Sequence, residues 1–183
     1  AKLFDQIDMK MGDYIARLLD VDRVEARRIQ KQFFHSHGTT LSGLMEKHAV
    51  EPGHFLDYVH DIDLEVIAED RLLVNAIGAL PGRKFVFTNG DAPYARRVLD
   101  RLGLGKSFEA IHDIVACDYV PKPERASYEA MCRTFEIKPD RALFVEDMAR
   151  NLKPAKAMGM VTVWVNNGSE SGSHGAEWRY SDY

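Results

Sequence analysis

Cysteine is scarce in this 183-residue chain: there are only Cys117 and Cys132, in no CxxC or metal-ligand spacing. That pattern gives little support to a disulfide framework or a zinc site, so a reducing cytoplasm is the expected compartment. Positive charge is also short, with 24 Lys and Arg against 28 Asp and Glu and a formal net charge of −4. Nucleic acid and anionic membrane both call for clustered positive charge, and neither is an expected partner. Long apolar runs are missing too. None approaches the ~20 residues needed to span a bilayer. The opening Ala1-Lys2-Leu3-Phe4-Asp5 does not read as a signal peptide, so the chain is expected to be neither exported nor anchored.

What is present suits a core of real size: 45% of the residues are hydrophobic, enough for one domain or one domain with a modest insertion. Leu3, Ile7, Met11, Tyr14, Ile15, Leu18 and Leu19 recur at three- and four-residue spacing and paint one helical stripe. A second helix is expected after Asp22, which has capping-box spacing to Glu25, and it ends near His37-Gly38. Shorter helices are expected from Leu41 to His48, from Pro52, and from Asp63 to Ile77. Residues 1–78 thus read as a helical subdomain. From Gly82 the texture changes. Short apolar runs at Phe85–Phe87, Ile111–Val115, Leu143–Val145 and Val161–Val165 alternate with helical patterns at Pro93–Leu102, Glu124–Phe135 and Ala149–Met158. This is the signature of a doubly wound α/β fold with a buried parallel sheet. The stretch from Asn167 to Ser173 reads as a flexible loop, and nothing in the last ten residues reads as a strand or helix.

In an open parallel sheet ligands bind beyond the carboxyl ends of the strands, and three polar groups fall there. Thr88 offers a hydroxyl, and Asn89 and Gly90 offer backbone N–H groups; together they can cradle a phosphate. A hairpin at Asn-Gly is disfavoured because Tyr94, Val98 and Leu99 continue as a helix. Lys122, between two prolines, can set a point charge beside a phosphoryl group. Glu146-Asp147 is either a helix N-cap or a carboxylate pair for magnesium.

Hydroxyl, lysine and carboxylate in that order are far more specific than any one of them. Phe85-Val86-Phe87-Thr88-Asn89-Gly90, Lys122-Pro123 and Leu143-Phe144-Val145-Glu146-Asp147 resemble the second, third and fourth motifs of the haloacid dehalogenase superfamily of phosphohydrolases. His37-Gly38-Thr39-Thr40-Leu41 and Asn151-Leu152-Lys153-Pro154-Ala155-Lys156 resemble its pyrimidine 5′-nucleotidase branch. The resemblance runs from about Leu3 to Asn167 and implies a Rossmann-like core, 79–183, with an inserted helical cap, 1–78. It also implies a magnesium-dependent phosphomonoester hydrolase that takes small phosphate esters, pyrimidine nucleoside 5′-monophosphates foremost, through an aspartyl-phosphate. In that scheme Thr88 and Asn89 hold the phosphoryl oxygens, Lys122 steadies nucleophile and phosphate, and Asp147 with Glu146 serves Mg2+. His37, Thr39 and Thr40 in the cap are candidates to meet the base or sugar, a helix terminus being an equal reading.

The family's first motif, an apolar strand ending in Asp-x-Asp-x-Thr, should precede the cap. The expectation is that this strand and its nucleophile lie upstream of Ala1. Asp20-Val21-Asp22 follows a helix rather than a strand, and Asp61-Ile62-Asp63 lacks the hydroxyl residue, so neither substitutes. The alternative is a catalytically inactive relative that binds phosphate esters. A signalling receiver domain is disfavoured, because there the acidic residues come first and the lysine last. Asn151 stands where many relatives carry a second acidic residue, and oligomeric state is not legible.

Overall fold

The apolar stripe that begins at Leu3 folds as α1, Lys2–Leu19, and buries Ile7 and Ile15. This arrangement belongs to a computed structural model that describes residues 2–168, 172 and 178–183. Helix α2, Arg23–His37, starts at Asp22, whose carboxylate accepts from the N–H groups of Val24 and Glu25. Glu25 does not close the capping box; it pairs with Arg28 instead. Gly38, at φ 80°, ends the helix in a conformation that other residues enter only with strain. Helices α3, Thr40–His48, and α4, Pro52–His60, follow, the latter capped by the Glu51 carboxylate. Their apolar faces meet around Ile15, Phe33, Leu44, Phe55 and Val59.

The helix expected from Asp63 instead begins at Arg71 and runs to Ala79 as α5, capped by Asp70. Other partners have taken the backbone groups of the intervening stretch. The Asp63 side chain accepts from Glu65 N, the Gln6 amide brackets Asp63 N and O, and Arg101 Nε takes the carbonyls of Leu64 and Ile67. Strands β1, Phe85–Phe87, and β2, Ala110–His112, pair in parallel with Phe87 opposite His112, and α6, Ala92–Arg101, connects them. The run expected to reach Val115 stops at His112 because the Asp113 carboxylate accepts from the N–H groups of Ala92 and Ala116 and turns the chain.

These elements make one compact unit, 1–119; residues 120–183 make a second. In the second, α7, Arg125–Phe135, precedes β3, Leu143–Glu146; α8, Ala149–Ala157, then crosses to β4, Val161–Trp164, parallel to β3. Tyr128, Phe144, Leu152, Ala155 and Met160 are buried beneath the helices. Both sheets among the described residues are thus parallel pairs joined by crossover helices. The buried parallel sheet expected from the apolar runs is buried on one face only in this unit: Leu143, Val145 and Val161 lie exposed on the other. The last residues also do more than expected. Asp182 N donates to Thr162 O and Trp164 N to Tyr183 O, so the terminus lies along the free edge of β4. Both cysteines are buried, and neither is in a disulfide. The loop expected from Asn167 to Ser173 lies largely outside the described residues.

Candidate active site

In the first unit, Thr88 follows β1 directly, and its N–H continues the ladder to His112 O at 3.0 Å. Its Oγ1 accepts from Gly90 N at 3.0 Å. A hydroxyl has one proton and two lone pairs, so this bond leaves the Thr88 proton for an oxygen outside the loop. Gly90 O accepts from Ile114 N at 3.2 Å, which fixes the turn from its other side. No second strand follows; α6 begins at once, with Asp91 Oδ1 capping Tyr94 N at 2.8 Å. Asp91 Oδ2 is 3.2 Å from His60 Nδ1, and the His60 ring stacks on Tyr94 at 4.2 Å. Burial alone would raise the Asp91 carboxyl, but the bonds from His60 and Tyr94 N and the charges of His60 and Arg97 hold it below the usual range. An open cleft of about 250 Å³ beside the loop is lined by Asp57, His60, Asp61, Asp91, Tyr94 and Arg97.

In the second unit, Lys122 Nζ lies 2.6 Å from Glu146 Oε2, with both side chains under a tenth exposed. The Lys122–Pro123 peptide is cis. Glu146 Oε1 accepts from Met148 N at 3.1 Å, so both oxygens of this carboxylate are engaged. Burial pushes the Glu146 carboxyl up, but the Lys122 ammonium outweighs it and holds the group low. Asp147 goes the other way: burial and the neighbouring Glu146 raise its carboxyl above the usual range. Asn167 Nδ2 donates to Asp147 Oδ2, and Trp164 Nε1 to its carbonyl, both at 3.1 Å. Nearby in sequence, Asn151 is 4% exposed, and its buried Oδ1 has no hydrogen-bond partner among the described residues. Its backbone carbonyl accepts from Tyr128 Oη at 2.7 Å. Magnesium takes hard oxygen donors. Asp147 and the orphaned Asn151 amide oxygen are of that type, whereas Glu146 is committed to Lys122. Among the described residues no cluster of three or more His, Cys, Asp or Glu is arranged around a metal position.

Of the residues singled out from sequence, Thr88, Asn89 and Gly90 form one loop, and Lys122, Glu146 and Asp147 gather in the second unit. The cap candidates have structural occupations. His37 Nδ1 lies 2.6 Å from Ser36 Oγ, and its Nε2 is 3.5 Å from Glu46. Thr39 caps α3 by accepting from Ser42 N, and Thr40, 5% exposed, donates to Gln30 O. His60, Asp91 and Arg97 were not foreseen. Asp91 carried a signal, an Asp at the head of a helical pattern, but its pairing with His60 joins positions far apart in the chain.

The chain matches the sequence profile of the haloacid dehalogenase-like hydrolases over residues 8–159. It is 46% identical over 46 residues to bifunctional epoxide hydrolase 2 of Mus musculus, a stretch that covers 25% of this chain and 8% of that protein. A HAD phosphatase from Thermococcus onnurineus superposes with a TM-score of 0.61 at 19% identity, over 99% of this chain and 84% of that one. The HAD-hydrolase YfnB of Bacillus subtilis, in a structure bound to magnesium, superposes with a TM-score of 0.57 at 14% identity, over 89% and 81% of the two chains. At such identities these superpositions establish the fold, a Rossmann-like α/β arrangement.

Proposed function

Because the chain belongs to the haloacid dehalogenase-like hydrolase family, we propose that it is a magnesium-dependent phosphatase of small phosphate esters, with pyrimidine nucleoside 5′-monophosphates as the first substrates to try. The observation that carries this reading is the buried Lys122–Glu146 pair, which fixes an ammonium at the carboxyl end of β3, next to Asp147. Phosphoryl transfer needs little from a protein beyond positioning and charge neutralisation. Lys122 supplies fixed positive charge, Thr88 donates its free hydroxyl proton to a phosphoryl oxygen, and the Asn89 and Gly90 backbone lines the cradle. The cap over 1–78 and the core over 79–183 are part of the same proposal, as are His37, Thr39 and Thr40 as contacts to the leaving group.

Asp147, with the amide oxygen of Asn151, would hold Mg2+, which when bound neutralises phosphoryl charge. Asn167 orients the Asp147 carboxylate for that task.

The test is phosphate release from nucleoside monophosphates and sugar phosphates by the natural full-length gene product, with magnesium and after chelation. Turnover should vanish on chelation, and Asp147→Asn should lower it by about 10²-fold or more. Turnover that survives both changes would sink the reading. Nucleotide binding without turnover would favour a phosphate-ester-binding protein.

A further inference from the structure

His60 closes α4, and Asp91, the N-cap of α6, together with Tyr94 and Arg97 within that helix, converges on it. Its Nδ1 meets Asp91 Oδ2 at 3.2 Å, its ring lies nearly parallel to Tyr94, 8° off at 4.2 Å, and its carbonyl accepts from Arg97 at 2.7 Å. The side chain is 8% exposed. A Cβ placed on Gly90 would sit 3.5 Å from His60 Cε1 and 3.4 Å from Thr88 Oγ1, so imidazole and hydroxyl flank the same backbone position. A carboxylate accepts only, which requires that Nδ1 carry the proton. Asp91 also sets a negative charge beside the loop assigned to phosphate, a repulsive arrangement unless a donor offsets it.

Resting on the reading of Thr88–Gly90 as a phosphate cradle, we propose that His60 is the positioning residue of that cradle, holding Asp91 and the Gly90 backbone in place and tying them to the end of α4. His60 does not touch the reacting atoms. It offsets the Asp91 charge, sets its ring edge beside the Cβ-less side of Gly90, and makes the loop's geometry depend on where α4 ends.

The experiment compares wild type with His60→Ala, His60→Phe and His60→Asn. Phe keeps the stack without the donor; Asn keeps a donor at the Nδ1 position. Two quantities are read: amide hydrogen exchange at Gly90, whose N–H is bonded to Thr88, and affinity for inorganic phosphate. Ala and Phe should speed Gly90 exchange and weaken phosphate binding, each about tenfold, the scale of one charge-assisted hydrogen bond. Asn should restore most of the affinity. Gly90 exchange within about twofold of wild type in all three variants overturns the proposal, whatever phosphate does. Faster exchange in Ala and Phe, in a protein that binds no phosphate even as wild type, upholds the positioning role and removes the phosphate reading instead. If Ala fails to fold, Phe and Asn carry the comparison.

Discussion

At the scale of single residues, the buried pair of Lys122 and Glu146 is the most consequential contact. Taking two charges out of water costs more than their attraction returns unless every lone pair is used. Here Met148 N fills the second carboxylate oxygen. Removing the ammonium would leave a buried carboxylate uncompensated, so Lys122→Met should cost about 3–5 kcal/mol of stability by urea unfolding. Adding Glu146→Gln should recover much of that loss. A single variant that costs under about 1 kcal/mol would mean the pair is hydrated in solution. His112 gives a second prediction. It is 1% exposed, and burial depresses its imidazole below the ordinary value of 6.5, with Asp113 opposing only in part. The unfolded chain therefore binds this proton more readily than the folded one. The stabilisation is fully present above about pH 6.5 and is lost as pH falls through the lower folded value. Melting temperature should therefore hold steady above about pH 6.5 and drop as pH falls below it, and His112→Gln should flatten that slope.

At the scale of elements, the helices were legible because period and caps agree locally. Asp22, Gly38 and Pro52 fall where the apolar stripes begin or end, and each acts as its chemistry predicts. The segment 63–70 was not legible, because the partners that hold it out of a helix, Gln6 and Arg101, are distant in sequence. Close approach of α2 and α3 was equally invisible. Gly43 faces Phe33 there, and an added Cβ would fall 2.4 Å from Phe33 Cγ. Gly→Ala within a helix ordinarily stabilises by up to ~1 kcal/mol. At Gly43 the sign should reverse, with a loss of about 1–3 kcal/mol from overpacking against a buried ring. Thermal unfolding of Gly43→Ala beside Gly78→Ala, where no described residue lies within 4 Å of an added Cβ, separates the two effects. Equal responses at the two sites would refute the tight contact.

At the scale of the whole molecule, the family was legible because its signals are short strings at strand ends, and such strings survive where overall identity is low. The His60–Asp91 pair and the orphaned Asn151 oxygen were not, since each depends on which segments the fold brings together. Burial of the sheet also departs from what its apolar runs lead one to expect. A continuous apolar run implies a strand covered on both faces. In the second unit, α7 and α8 cover the face of Phe144 and Thr162, while Leu143, Val145 and Val161 stand 55%, 53% and 42% exposed on the other, and Val165, just past β4, is 49% exposed. Scattered exposed apolar residues are ordinary, but three on one face of two paired strands, continued by Val165 just beyond, make a patch. This chain should therefore bind a hydrophobic fluorescent dye in its native state. Leu143→Thr with Val145→Thr should reduce that signal severalfold, because Thr keeps β propensity while adding a hydroxyl to an already wet face. Stability should change by less than about 1 kcal/mol, the range expected where no buried contact is lost. A loss of about 2–5 kcal/mol would show instead that the two side chains are buried in solution and that this face is covered.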